Sequence, residues 1–287
     1  MIELREVAYD DPMAVALVVA LKAEIDDRYA YAIERLTPEE RAADDAGYRA
    51  VAPFLRGYAP SAVPADGRYQ TAAVGLDACA LHEALGGAGD AAIIGHDWGA
   101  MGTYVTARHE PERWRRVVAM AVPPAGAVAG GFMTYAQLKR SWYMFFFQHP
   151  LADVVVGMGD LDFIDGLWAD WSPGYDASED LPHVKDALRD PANLQAALGY
   201  YRATLGGVGV DPELEPVQQA GNEVPPQPTL YLHGRTDGCM GIEVAEGARG
   251  LLTGAGSRME VVDDAGHFLH LERPDLVNRL ILDFLAE

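Results

Sequence analysis

The hydrophobic pattern alternates between short apolar runs and longer amphipathic runs in two parts of the chain, residues 46–123 and residues 226–287. Short runs rich in valine, isoleucine and leucine predict strands, and longer runs with apolar positions three or four residues apart predict helices. The predicted strands are Tyr48 to Ala52, Ala91 to Ile94, Val117 to Val122, Thr229 to Leu232 and Arg258 to Val262, and the predicted helices are Thr71 to Leu85, Ala100 to His109 and Pro274 to Phe284. Such alternation predicts an α/β fold with a mostly parallel sheet and helices on both faces.

A different pattern occupies residues 124–225, between the two α/β parts. It has aromatic-rich helical segments, SWYMFFFQ and LGYYRATL, and a polar loop, DWSPGYDASEDLP, without a clear buried strand. We therefore predict a helical cap at 124–225, inserted into an α/β core formed by residues 46–123 and 226–287.

Residues 1–45 form an atypical N-terminal segment. Two aspartates followed by Pro12 are typical of a helix start, which predicts a helix from Met13 to Arg28. The alternative is a strand, because small and large residues alternate in AVALVVAL, residues 14–21.

The candidate catalytic residues follow the predicted strands. Ligands of open parallel sheets bind at the carboxyl ends of the strands, where the chain here has Asp97, Asp237 and His267. Asp97 lies in GHDWG, between a predicted strand and a predicted helix, where a nucleophile elbow has G-x-S-x-G. The chain order of nucleophile, acid and histidine is that of an α/β-hydrolase triad.

An aspartate at the nucleophile position changes the reaction that is expected. A carboxylate is already an anion at neutral pH and needs no base to activate it. It suits displacement at an sp³ carbon, which leaves an ester of Asp97. His267, oriented by Asp237, would then activate a water molecule that cleaves the ester. Asp263 and Asp264 are rival candidates for the acid, although they precede His267 on its own loop.

Composition and charge limit the class of protein. The 287 residues carry a net charge of −21, which disfavours binding to nucleic acid or to an anionic membrane. The charged N-terminus lacks the apolar stretch of a signal peptide, so we expect a cytoplasmic protein. The two cysteines, Cys79 and Cys239, do not form a C-x-x-C metal motif, and we interpret Cys239 as a small buried filler.

GHDWG, the late Asp237 and AGHFLHLERPDLVNRLILDFL resemble the α/β-hydrolase-fold epoxide hydrolases, whose close relatives are the haloalkane dehalogenases. The resemblance extends from about Ala46 to the C-terminus. It implies that Tyr143 in SWYMFFFQ and Tyr201 in GYYRA donate hydrogen bonds to an epoxide oxygen. It also implies that the backbone N–H of Trp98 serves the oxyanion hole, and that no metal or organic cofactor takes part.

The sequence departs from that family in one place. The H-G-x-P loop that supplies a second oxyanion N–H in the family is absent, since the only His-Gly pair is His233-Gly234. The N-terminal strands of the fold are therefore expected to be missing or replaced, and activity impaired.

The predicted activity is opening of a small apolar epoxide to a diol. The alternatives are a haloalkane dehalogenase, or an impaired hydrolase body that acts as a binding protein. Substrate identity and oligomeric state stay open.

Overall fold

A computed structural model describes residue 48 and residues 50–287, of which Ala52–Glu287 forms one compact unit. The predictions for the N-terminal segment, including the helix from Met13 to Arg28 and its strand alternative, lie outside the described residues. No helix in the described part of the chain is long and apolar enough to cross a membrane.

A parallel sheet forms the centre of this unit. Its four strands in the described residues are β1 (Ala91–His96), β2 (Trp114–Met120), β3 (Thr229–Gly234) and β4 (Arg258–Val262), in the spatial order β1-β2-β3-β4. All three neighbouring pairs are parallel. Every residue of β3 is buried, because a parallel sheet covered on both faces favours continuous apolar strands over alternating ones. The predicted parallel α/β architecture is confirmed.

Helices surround the sheet and fill the connection between β2 and β3. In chain order they are α1 (Thr71–Ala84), α2 (Trp98–His109), α3 (Ala125–Gly131), α4 (Tyr135–Arg140), α5 (Trp142–Phe146), α6 (Ala152–Val155), α7 (Asp162–Trp171), α8 (Leu181–Leu188), α9 (Pro191–Tyr201), α10 (Glu215–Ala220), α11 (Ile242–Ala245), α12 (Leu269–Glu272) and α13 (Pro274–Ala286). A π-helical turn, Arg202–Gly206, continues α9.

The connection from α3 to α10 is helical and contains no strand, as its sequence pattern predicts. It has an apolar core of its own, which includes Tyr143, Phe147, Leu167, Leu194 and Leu198. Aromatic residues concentrate there because they bury a large apolar area per residue. The division into core and cap at residues 124 and 225 stays a prediction.

The predicted strand from Tyr48 to Ala52 is wrong for the residues that the structure describes there. Tyr48 and Ala50 to Ala52 have irregular backbone, and Val51 is exposed. A short run becomes a strand only where it finds a hydrogen-bonded neighbour, and a sequence window does not contain that neighbour.

Candidate active site

Asp97 occupies a tight turn between β1 and α2. Its backbone has φ 51° and ψ −117°, an uncommon conformation for a residue with a side chain. Such strain concentrates at functional sites, where the surrounding structure holds it in place. Asp97 also lies directly before the first residue of α2, a helix of 12 residues, where the helix dipole favours a negative charge.

Gly95 and Gly99, on either side of Asp97, differ in how much space surrounds them. A Cβ atom on Gly95 would lie 2.2 Å from the carbonyl oxygen of Gly99, so no larger residue fits there without movement. A Cβ atom on Gly99 would meet nothing within 4 Å. The first glycine of the motif is therefore required by the close approach of β1 and α2, and the second is not required by space.

His267 and Asp237 meet at the ends of β4 and β3. His267 Nδ1 lies 3.0 Å from Asp237 Oδ2, and both side chains are almost completely buried. The other carboxylate oxygen of Asp237 accepts hydrogen bonds from the backbone N–H groups of Cys239 and Met240, at 2.7 and 2.8 Å. Asp237 is thus held rigidly, and it fixes Nδ1 of His267 so that Nε2 faces the opposite side.

Nε2 of His267 faces Asp97. It lies 3.4 Å from Asp97 Oδ1, and the Asp97 side chain is 30% exposed. Burial alone would raise the pKa of Asp97, but the hydrogen bond and positive charge of His267 lower it below its ordinary value. The backbone N–H of Trp98 also donates towards this carboxylate and lowers its pKa. Asp97 is therefore an anion near neutral pH.

The charge state of His267 follows from its two carboxylate neighbours. Burial alone would lower the pKa of His267, but the negative charge of Asp237 and hydrogen bonds to Asp237 and Asp97 raise it well above its ordinary value. His267 is thus an imidazolium while both carboxylates are ionised.

The end of α7 anchors the two loops that carry Asp237 and His267. The carbonyl oxygen of Trp171 accepts hydrogen bonds from the backbone N–H groups of Gly238 and His267, at 3.0 and 3.1 Å. Ser172 Oγ accepts one from Phe268 N at 3.0 Å. The helical connection between β2 and β3 therefore helps to fix the spacing of Asp237 and His267.

Tyr143 and Tyr201, on α5 and α9, are neighbours, and Tyr201 contacts Trp98, the residue after Asp97. Their rings are 5.7 Å apart in an edge-to-face arrangement, and the Tyr201 ring is 4.9 Å from that of Trp98. Burial is the main reason that the pKa of each phenol lies well above its ordinary value, and the negative charge of Asp97 raises both further. Both phenols are proton donors within electrostatic range of Asp97.

The structure also separates the rival residues from this cluster. Asp263 pairs with Arg235 on the surface, and Asp264 lies 3.4 Å from Arg273.

His96 Nε2 lies 2.9 Å from the carbonyl oxygen of His267, and burial together with the charge of His267 lowers the pKa of His96 to about 4. His96 is therefore a neutral residue that supports the His267 backbone.

Three residues near Asp97 had no functional role in the sequence analysis. Cys239 Sγ lies 3.2 Å from the hydroxyl of Tyr143, and the His267 ring lies 5.4 Å from that of Trp171. Burial and the charge of Asp97 raise the pKa of Tyr58, which places it in the same electrostatic environment. Burial likewise raises the pKa of the Cys239 thiol, which keeps it protonated. Spacing from Asp237 was the only sequence signal for Cys239, and none existed for the other two.

Residues 26–280 match the sequence model of the alpha/beta hydrolase family. The chain belongs to the alpha/beta hydrolase family. AB hydrolase superfamily protein YfhM of Bacillus subtilis is 30% identical over 247 residues, covering 84% of this chain and 82% of that protein. Human epoxide hydrolase 4 is 27% identical over 249 residues, covering 84% of this chain and 66% of the human protein. This alpha/beta hydrolase thus spans just under two thirds of the human relative.

Solved structures give the same assignment. An epoxide hydrolase from metagenomes of hot environments is 25% identical with a TM-score of 0.69, covering 86% of this chain and 85% of that one. Ligand-free epoxide hydrolase CorEH is 20% identical with a TM-score of 0.69, covering 86% of both chains, and shows the fold alone. The predicted α/β-hydrolase fold and the resemblance to epoxide hydrolases are confirmed.

Proposed function

We propose that this alpha/beta hydrolase opens small apolar epoxides to vicinal diols through a covalent ester of Asp97. The observation that carries the proposal is the position of Asp97, an ionised carboxylate within 3.4 Å of His267 and within electrostatic range of two protonated tyrosines. The proposed nucleophile, base and acids thus lie close together. The epoxide hydrolases among its relatives support the same reaction class.

In the first step a carboxylate oxygen of Asp97 attacks one carbon of the epoxide. The carbon–oxygen bond at that carbon breaks, and its electron pair goes to the epoxide oxygen. Tyr143 and Tyr201 stabilise the developing alkoxide by hydrogen bonding, and one phenol proton is transferred to it. Their raised pKa keeps these protons in place until the alkoxide, which is more basic, forms.

Formation of the ester would lower the pKa of His267 and so favour its action as a base. Asp97 is one of the groups that raise the pKa of His267, and an ester carries no negative charge. The pKa of His267 therefore falls after the first step, and the imidazolium proton passes through solvent to the phenolate that the first step left, so both tyrosines are protonated again. The neutral Nε2 then removes a proton from a water molecule, and the resulting hydroxide attacks the ester carbonyl of Asp97.

The tetrahedral intermediate places a negative charge on an oxygen of Asp97. The backbone N–H of Trp98 already donates towards that carboxylate, which supports its role as an oxyanion donor. When the intermediate collapses, the bond to the diol oxygen breaks and that oxygen takes a proton from the His267 imidazolium. The Asp97 carboxylic acid then returns its proton to His267, so the diol is released and the carboxylate and imidazolium are restored. A second donor from an H-G-x-P loop is absent from the sequence, so slow ester hydrolysis is part of the proposal.

The experiment is a single turnover of a terminal aryl epoxide in heavy-oxygen water, with product and intact protein analysed by mass spectrometry. The proposal expects a diol without heavy oxygen from the first turnover, because the added oxygen comes from Asp97, and heavy oxygen in the Asp97 peptide. Asp97→Asn should form neither ester nor diol at a comparable rate. Heavy oxygen in the first diol, with none in the protein, would contradict the covalent route.

A second candidate, dehalogenation of haloalkanes, is favoured by two buried indole nitrogens. Trp98 Nε1 and Trp171 Nε1 have no hydrogen-bond partner within the described part of the chain, and N–H donors of this kind suit a departing halide. A terminal bromoalkane provides the matched test. Halide release with the same Asp97 ester, and no turnover of the epoxide, would favour the dehalogenase. No reaction with either class would leave a hydrolase body that binds a ligand without turnover.

A further inference from the structure

The geometry points to a binding site for a soft divalent cation, typified by zinc, formed by Asp97, Cys239 and His267. One ligand atom of each residue lies within 4.8 Å of the other two. Occupation of this site would hold the proposed nucleophile and base together and block both. The site therefore regulates the hydrolase through the availability of zinc-like metals rather than through catalysis by the metal.

The donor set is the one that zinc prefers. Zinc in proteins binds thiolate sulfur, imidazole nitrogen and carboxylate oxygen, with bond lengths that put neighbouring ligand atoms about 3.5 Å apart. The pair His267 Nε2 and Asp97 Oδ1, at 3.4 Å, already has this spacing. If Cys239 Sγ approaches by about 1 Å, the three ligand atoms occupy three corners of a tetrahedron around the cation. The fourth corner is left for a water molecule.

The surroundings of His267 are also those of a metal ligand. Metal-bound histidines commonly donate their second ring N–H to a carboxylate, which orients the ring. Asp237 performs this function for Nδ1 at 3.0 Å, and the remaining nitrogen, Nε2, faces Asp97 at 3.4 Å. Asp237 and Asp97 also give the site two negative charges, which favour a cation over a neutral ligand.

Access and proton balance are compatible with binding. The Asp97 side chain is 30% exposed, so the cluster is open on that side. The bound state has a thiolate and a neutral imidazole, and the cation therefore displaces the thiol proton and the Nε2 proton into solvent. The S–H bond of Cys239 and the Nε2–H bond of His267 are the bonds that break, and no oxidant is needed.

The two cysteines of the chain provide a matched pair for the experiment. Cys79 is buried in α1, with its sulfur 2.8 Å from Thr106 Oγ1, and belongs to the core rather than to the site. Tag-free, reduced protein is freed of metal and titrated with zinc chloride by calorimetry, with magnesium chloride as the hard-cation control. Cadmium replaces zinc in a second titration, because a cadmium–thiolate bond has an ultraviolet charge-transfer band.

We expect one zinc per chain, no comparable binding of magnesium, and a cadmium–thiolate band. Cys239→Ser should weaken zinc binding at least tenfold and remove the band, whereas Cys79→Ser should change neither. If Cys239→Ser does not fold, Asp97→Asn replaces it and should also weaken zinc binding. Absence of zinc binding, or binding that persists in Cys239→Ser or disappears in Cys79→Ser, would overturn the site.

Inhibition of turnover by zinc rests on the proposed function, but the binding measurements use no substrate. Zinc that binds as expected, in a protein without epoxide or haloalkane turnover, would refute the function and keep the site. Epoxide turnover that continues at zinc concentrations saturating the calorimetric site would overturn the regulatory part of the inference.

Discussion

His267 Nε2 lies 3.4 Å from Asp97 Oδ1, and this distance joins the two steps of the proposed reaction. The same ring is held on its other side by Asp237 at 3.0 Å. An imidazole between two carboxylates is protonated while both are charged. Its pKa falls when one carboxylate is esterified, because the ester carries no negative charge. The charge on Asp97 can therefore control when His267 becomes a base.

Replacement of His267 by glutamine should trap the ester of Asp97. Attack by Asp97 needs no base, whereas ester hydrolysis does, so the second step should slow much more than the first, by about 10²-fold or more. Intact-mass spectrometry after mixing with an aryl epoxide should show one substrate adduct per chain. Steady diol release at the wild-type rate, without an adduct, would contradict the assigned role.

The pH dependence of the two steps should differ. The lowered pKa of Asp97 keeps the nucleophile ionised in mildly acidic solution, so ester formation should be insensitive to pH there. Ester hydrolysis needs neutral His267 and should slow as pH falls through the pKa of His267 in the ester. A burst of ester followed by slow diol release should therefore grow as the solution is acidified, which rapid-quench measurements can follow.

The proposed role of Asp237 as the acid partner of His267 can be tested against the two rival aspartates. Asp237→Asn removes the charge that orients and stabilises His267, and ester hydrolysis should fall by on the order of 10⁴-fold. Asp263→Asn and Asp264→Asn are matched controls, because these side chains lie on the surface near Arg235 and Arg273. Equal losses in all three variants would show that the effect is not specific to Asp237.

The two tyrosines should affect the first step alone. Tyr143→Phe or Tyr201→Phe should slow ester formation from an epoxide by about 10²-fold, and the double variant by more, because a hydrogen-bond donor to the alkoxide is lost. Tyr200→Phe is the matched control, since its hydroxyl donates to the carbonyl oxygen of Arg56 at 2.8 Å. Stopped-flow measurements give the rate of ester formation. Equal rates in Tyr143→Phe, Tyr201→Phe and Tyr200→Phe would contradict this role.

The motif glycines should differ in their effect on stability. Gly95→Ala forces a Cβ atom to within 2.2 Å of the Gly99 carbonyl oxygen, and overpacking of this kind costs about 1–3 kcal/mol of unfolding free energy. Gly99→Ala meets nothing within 4 Å in α2 and should be neutral or slightly stabilising. Urea unfolding followed by circular dichroism measures both.

The sequence by itself determined the parallel sheet, the helical connection and the residues at the strand ends. Strand β4 agrees with its prediction at both ends, and β1, β2 and β3 differ by a few residues, because runs of buried apolar residues are local signals. The turn at Asp97 was predictable for a related reason. The glycines on either side of it, the strand before it and the helix after it all lie within one short window.

Only the tertiary structure decided which groups meet. Asp237, Asp263 and Asp264 all follow strands, but hydrogen bonds between separate loops bring only Asp237 to Nδ1 of His267. The contact of Cys239 with Tyr143 crosses 96 positions of sequence, and the carbonyl of Trp171 joins two loops that the chain separates. A periodic pattern records which face of an element is buried, and the packing of distant elements fixes the distances on which the proposed catalysis and metal binding depend.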